Sequence, residues 1–149
     1  MRCLLLPVFH SAAVLFFACQ LISVQALAQW STNPSVNNAI CFAASQQRGP
    51  RVTSDGGGGA IITWMDDRDI ATNSTDIYAQ RISASGVIQW TANGVAICTD
   101  LGLQSAPQIT TDGSGGAIIV WQDNRVFPIP EIFAQRINAN GVVQWTLDG

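Results

Sequence analysis

The chain has 149 residues, 48% hydrophobic and 11% charged, with seven basic residues, all arginine, ten acids and a net charge of −3. That balance excludes the basic face that nucleic acid or an anionic lipid surface requires. One histidine and four cysteines leave little material for metal ligation or nucleophilic chemistry.

The chain opens with Met1-Arg2 and a largely apolar run from Cys3 to Leu27, closed by Ala26-Leu27-Ala28. A basic start, an apolar core and a small-x-small site are the form of a secretory signal peptide, here residues 1–28. An uncleaved membrane anchor is the alternative, since the run is nearly long enough to span, but His10-Ser11, Gln20 and Gln25 interrupt it. A lipoprotein signal ending at Cys19 is a third reading, weakened by the apolar residues that continue past it. Cleavage would remove His10, Cys3, Cys19 and Arg2, leaving six arginines against ten acids and a net charge of −4. Such a chain cannot form a Ser-His-Asp triad, a Cys-His pair or the usual histidine zinc site.

The rest is written twice. Pro50-Arg-Val-Thr-Ser-Asp55-Gly-Gly-Gly-Gly-Ala60-Ile-Ile-Thr-Trp64-Met-Asp66-Asp-Arg68 returns as Pro107-Gln-Ile-Thr-Thr-Asp112-Gly-Ser-Gly-Gly-Ala117-Ile-Ile-Val-Trp121-Gln-Asp123-Asn-Arg125. Ile77-Tyr-Ala-Gln-Arg81-Ile returns as Ile132-Phe-Ala-Gln-Arg136-Ile. Gln-Trp-Thr or Gln-Trp-Ser stands at Trp30, Trp90 and Trp145. The reading is two repeats, 29–89 and 90–144, with 145–149 the stub of a third. Periods of this length point to solenoids, propellers or arrays. Cys41 and Cys98 lie 57 residues apart, the offset of the two prolines. Equivalent positions in stacked sheets are about 10 Å apart, beyond disulfide reach, so two buried free thiols are expected.

Within a unit the signals are strands and tight turns. Arg51 to Asp55 is a first strand, flanked by a proline that can start it. Asp55 to Gly59 is a hairpin turn, aspartate and glycine supplying its positive-φ positions. Ala60 to Met65 is apolar on nearly every residue, which predicts a strand buried on both faces. Asp66 to Asp76 is a polar loop, and its counterpart Asp123 to Glu131 differs in length. Ile77 to Ser83 is a third strand, and Ala84-Ser85-Gly86 turns into a fourth, Val87 to Thr91. An Asn93-Gly94 turn leads to Val95–Cys98. No segment carries the apolar spacing of an amphipathic helix. The fold class is therefore all-β: repeated four-stranded antiparallel blades of a β-propeller, partial at about two blades, behind a signal peptide. An open β-solenoid or a stack of meanders is the alternative architecture.

The pattern Pro-x-(Val/Ile)-Thr-x-Asp-Gly…Ala-Ile-Ile-x-Trp…Asp-x-Arg…Ile-(Tyr/Phe) resembles the repeats of TolB-like, WD40-related propellers. Ala-Gln-Arg-Ile with Gly-Val-x-Gln-Trp-Thr is similar to repeats of large secreted bacterial surface proteins, many ending in a type IX sorting domain. The resemblance covers nearly all of residues 30–149 and implies a propeller framework, with little about activity. The tryptophan-closed unit departs from TolB itself. Two units are too few to close a ring of four to eight blades, so the chain reads as an N-terminal piece of a longer protein or a truncated product.

A residue that repeats is first a framework residue, because a catalyst is needed once per site. This assigns structural roles to Trp30, Trp64, Trp90, Trp121, Trp145, Asp55, Asp112, Asp66, Asp123, Arg68, Arg125, Arg81 and Arg136, the arginine forks tying carboxylates and loops. Asp55-Gly and Asp112-Gly each offer a calcium ion only one carboxylate, so no cofactor is expected. Candidate binding residues fall in the loops that differ between units: Asp69, Asn73, Asp76, Phe127 and Glu131. The apolar Val126-Phe127-Pro128-Ile129-Pro130 loop marks a contact surface. The expected function is a secreted, non-catalytic binding or structural module at the cell surface, with a protein or glycan partner. The alternative is the front part of a propeller-containing glycan hydrolase or lyase with its catalytic residues elsewhere.

Overall fold

A computed structural model describes residues 30–149 apart from Thr32 and Phe127. The signal-peptide reading and the Phe127 assignment lie outside the described residues. The described residues form two antiparallel sheets and almost no helix. Sheet one orders β1 (Gln47–Ser54), β2 (Ala60–Asp66), β3 (Asp76–Ile82) and β4 (Val95–Cys98) as a meander. Sheet two orders β5 (Gln104–Thr111), β6 (Ala117–Asp123) and β7 (Glu131–Ile137) the same way. Each hairpin register recurs: Thr53↔Ile61 and Trp64↔Tyr78 in sheet one match Thr110↔Ile118 and Trp121↔Phe133 in sheet two.

Alternation along β2 and β6 puts Ile61, Thr63 and Met65 on one face and Ile62, Trp64 and Asp66 on the other. The sheets stack on unlike faces. Ile61, Ile77 and Ala79 of sheet one meet Ala117, Ile119, Trp121 and Ile137 of sheet two, and Trp90, Ile97 and Cys98 complete this core. The prediction that residues 60–65 are covered on both faces holds in sheet one, where each residue of β2 is buried or half-buried.

Four expectations change. The fourth strand of sheet one is Val95–Cys98, while Val87–Thr91 contributes only the single bridge Ile82↔Ile88. The cause is Gln80, whose buried amide donates to Thr91 O (2.8 Å) and accepts from Trp90 N (3.1 Å). Its side chain replaces the ladder and turns the chain out of the sheet, so sheet one reaches past residue 89. The first strand begins at Gln47, not Arg51, because Pro50 sits in a bulge between Arg48 and Arg51 rather than at a strand start. The 66–76 loop holds one helical turn, α1 (Ile70–Asn73). Asp76 is not in that loop. It opens β3 and is fully buried.

Candidate functional site

The repeated side chains assemble into three devices, each built twice. The first joins Trp64, Asp66 and Arg68. The Trp64 indole donates to Asp66 Oδ2 at 2.7 Å, and Arg68 closes on the same carboxylate through its backbone N–H, Nε and NH2 (2.9, 2.9 and 2.6 Å). The guanidinium lies 3.7 Å over the Tyr78 ring and reaches Asn93 O at 2.8 Å. Burial opposes the charge of Asp66, but the bonds from Arg68 and Trp64 outweigh it and hold its carboxyl below the usual range. In sheet two Trp121 donates to Asp123 at 2.8 Å, and Arg125 NH2 bonds Asp123 Oδ2 (2.7 Å) and Asp148 O (2.6 Å). Arg125 stacks 3.8 Å over Phe133, so the aromatic stage is kept while its hydroxyl is not. Asp123 is lowered in the same way, burial again opposing and Arg125 and Trp121 prevailing.

The second device secures the glycine hairpins. Asp55 Oδ1 accepts from the N–H groups of Gly57 (2.8 Å) and Gly59 (2.7 Å), while Oδ2 takes Arg81 Nε (3.0 Å). Asp112 does the same with Ser114, Gly116 and Arg136. Desolvation resists both charges, but the backbone N–H groups and the arginines hold both carboxyls below the ordinary value. These carboxylates have their acceptor capacity filled by the protein, which leaves calcium a poor fit. Among the described residues no group of three or more His, Cys, Asp or Glu is placed to hold a metal.

The third device is one that reading the sequence passed over. Gln80 and Gln135 are buried, and each directs the chain after its turn. Gln135 donates to Thr146 O (2.8 Å) and accepts from Trp145 N (2.9 Å), as Gln80 does with Thr91 and Trp90. The recurrence of Ala-Gln-Arg-Ile was the available signal. A glutamine in a strand carries no hydropathy period of its own, so nothing beyond that recurrence marked it.

Trp30, Trp90 and Trp145 hold a second repeat position, and Trp30 and Trp90 each lie on the turn of the sheet that follows them. Trp90 donates to Ala139 O at 3.0 Å and lies flat on the Gly141 turn, where a Cβ would meet its ring at 2.8 Å. Trp30 does the same at Ala84 O (2.9 Å) and the Gly86 turn. Arg81 NH1 reaches the same Ala139 O at 3.0 Å. The thiols are unbridged, each under its own arginine: Arg68 NH2 to Cys41 Sγ at 3.6 Å, Arg125 NH2 to Cys98 Sγ at 3.4 Å. Cys98 is buried, and burial pushes its thiol up to about 12. Cys41 is only half-buried.

The candidate binding residues do not form one site. Asp69 and Glu131 are exposed. Asn73 is half-buried and spends its amide on Thr99 O at 3.1 Å. Asp76 stands apart from every other carboxylate described. Neither oxygen has a hydrogen-bond partner among the described residues. It faces Asp66 across the ladder, and burial first, then the charges of Asp69 and Asp66, raise its carboxyl to about 6. A raised carboxyl is a mark of general acids, but a group sealed at 0% exposure does not meet a substrate. The non-repeated network beside it pairs Arg48 with Asp67 and ties Thr75 to both. Val126 and Ile129 are open to solvent in the second loop.

The fold and these joints define an all-β repeat protein of stacked antiparallel sheets. No family model, curated protein or solved structure matches the chain.

Proposed function

We propose that the chain is a secreted, non-catalytic segment of a β-propeller that acts as a binding or structural module at the cell surface, contacting a protein or glycan through its variable loops. The observation that carries the reading is the duplication of its chemistry. Asp55, Asp66, Asp112 and Asp123 are each committed to an arginine in the same geometry in both units. Groups held in this way stiffen a scaffold and are not free to accept a substrate proton. What differs between units is the pair of loops, 67–75 and 124–130, and the second presents Val126 and Ile129 to solvent. Exposed apolar side chains on loops fixed by a rigid sheet suit a contact surface. The apolar start of the chain supports export.

The test is binding of the full chain to arrayed surface glycans and to intact cell envelopes, with Ile129→Asp as the loop variant. The expected result is retention of the chain and loss of that retention in the variant at unchanged thermal midpoint. Release of reducing ends or unsaturated products from any glycan would overturn the non-catalytic reading.

A further inference from the structure

We propose that the groove beside the first variable loop binds a neutral sugar residue of a surface glycan, Arg48 and Asp67 sharing neighbouring hydroxyls of its ring. The inference deepens the reading of a glycan-binding module and rests on it. The groove has a volume of about 490 Å³, within the range of small-ligand sites. It is lined by Ser45, Gln46, Arg48, Asp67 and Ile70. All of these belong to the first unit: residues 45–48 lead into and open β1, and residues 67 and 70 lie in the loop after β2.

The second unit shows the same place as plain framework. The backbone is alike in both: Asp67 N donates to Gln46 O at 2.9 Å, and Asn124 N to Leu103 O at 3.0 Å. The side chains are not. At the 57-residue offset Ser45, Gln46, Arg48 and Asp67 become Gly102, Leu103, Ser105 and Asn124. The first unit thus carries an ion pair where the second has no charge, and a hydroxyl and an amide where the second has no polar side chain. Ser45 is the sharpest of these exchanges. It takes φ +66°, and Gly102 takes +96°. That region is open to glycine and costs other side chains. The first unit therefore bears backbone strain where glycine would relieve it, and such strain gathers at ligand sites. The Ser45 side chain is exposed at the groove and has no hydrogen-bond partner among the described residues, so no internal bond accounts for it.

The ion pair is set to receive hydroxyls. Thr75 Oγ1 donates to Asp67 Oδ1 at 2.8 Å and accepts from Arg48 Nη2 at 3.1 Å, while Arg48 Nη1 closes on Asp67 Oδ2. Asp67 and Thr75 are buried, so the pair is held from within the fold. The Arg48 side chain is 41% exposed, which leaves its remaining N–H groups open to the groove. Neighbouring ring hydroxyls match this pair, because a hydroxyl both accepts from a guanidinium and donates to a carboxylate. Bonds of this kind to charged groups are the strong ones. Ile70 is exposed and gives the C–H face of the ring an aliphatic side. The choice of a neutral sugar follows from charge. Asp67 offsets Arg48, and the exposed Asp69 adjoins Ile70, so a carboxylated sugar meets no net positive charge here.

Binding of the full chain to arrayed neutral and acidic glycans tests the proposal, read as apparent Kd. Neutral glycans retain the chain more tightly than carboxylated ones. Ser45→Gly with Gln46→Leu copies the second unit and leaves the ion pair in place. It weakens that binding about tenfold, the worth of one or two hydrogen bonds, while the thermal midpoint holds or rises. A purely structural role for these residues predicts the same midpoint with unchanged binding. Arg48→Ser with Asp67→Asn removes both charges together and abolishes binding, with circular dichroism showing that the sheets remain. Unchanged affinity in Ser45→Gly with Gln46→Leu overturns the groove and leaves the glycan reading standing, since the chain still binds. Preference for acidic glycans overturns the neutral assignment. A chain that no glycan retains fails the glycan reading itself, and this inference with it.

Discussion

Trp30, Trp90 and Trp145 hold the same place in successive units and differ in what surrounds them. Trp90 has its own sheet behind it and the Ala139–Gly141 turn of the next sheet in front, and is 8% exposed. Trp30 has the turn in front but, among the described residues, no sheet of its own, and is 42% exposed. Trp145 has its own sheet but, among the described residues, no turn in front, and is 47% exposed. Half of the cover comes from each side. Within a unit the polar devices are complete, as the matching Asp66–Arg68 and Asp123–Arg125 pairs show. The apolar cover is completed between units. The chain therefore completes its carboxylate–arginine devices within a unit and its core by stacking, as repeat proteins do.

The sharpest test of this division is the pair Trp121 and Trp64. Trp121 is 1% exposed and packs in the core between the sheets. Trp64 makes the same indole bond and is 3% exposed, but what lies over it is a groove it shares with Ile40 and not a second sheet. Trp121→Ala should cost about 3–5 kcal/mol, and Trp64→Ala should fall toward the lower end of that range. Urea denaturation of the two variants measures the difference. Equal costs would show that residues 38–41 cover sheet one as well as a whole sheet does.

Asp76 and Glu131 break the equivalence in another way. They occupy the same register position, opposite Asp66 and Asp123, yet Asp76 is sealed and Glu131 is open. Asp76 in the folded chain has a pKa of about 6 against an ordinary 3.8, so the folded state holds that proton more tightly. The stabilisation this gives is full below the ordinary value and is lost as pH rises through 6. Asp76→Asn should therefore raise stability at neutral pH by about 2 kcal/mol and leave it unchanged below pH ~4. Glu131→Gln, at an exposed position, should stay within about 0.5 kcal/mol of the native chain. Asp55, Asp66, Asp112 and Asp123 act with the opposite sign: their lowered carboxyls stabilise the fold above the ordinary range and lose that effect as pH falls. Thermal melts of the wild-type chain and Asp76→Asn from acid to neutral pH separate the two slopes.

These differences also mark what could be read from the residues. The repeat, the hairpins and the double-sided burial of Ala60 to Met65 were legible, because identical words at fixed spacing and an unbroken apolar run have few other readings. The partners of Arg68 and Arg125 were legible only as a type of contact, since the sequence does not say which carboxylate a fork will reach. The burial of Asp76 was not legible: a charged residue after Asn73-Ser74-Thr75 reads as loop, and only the pairing of β3 draws it inside. The displacement of the fourth strand from Val87 to Val95 was hidden in Gln80, whose effect is a hydrogen-bond geometry and not a hydropathy. Which faces stack was invisible as well, since both faces of β2 are apolar.

A smaller effect isolates the link between units. Trp90→Phe keeps an aromatic ring on the Gly141 turn, removes the indole bond to Ala139 O and leaves a small cavity where the second ring was. It should cost about 1–3 kcal/mol, the net worth of one hydrogen bond plus the lost packing. Trp145→Phe, half exposed, should stay within about 0.5 kcal/mol of the native chain. Denaturant midpoints give both values. A matching loss in Trp145→Phe would mean that the Trp145 indole is covered and bonded in solution as Trp90 is.

The smallest expected effect lies at the two bulges. Gly49 and Ala106 are equivalent, each precedes a proline, and both take positive φ, +61° and +51°. That conformation costs an alanine about 1–2 kcal/mol, while a glycine gives back about 0.4–1 kcal/mol through the greater freedom of the unfolded chain. Ala106→Gly should thus stabilise the protein by about 0.5 kcal/mol. Gly49→Ala should do the reverse and lose more, because its Cβ would stand 2.7 Å from Met65 Cε, whereas position 122 in sheet two is an exposed glutamine. Opposite signs at the two sites, read from paired thermal melts, require one backbone for both bulges. The same sign at both would mean that the Pro50 and Pro107 bulges differ, and that the two units part company at their first strands.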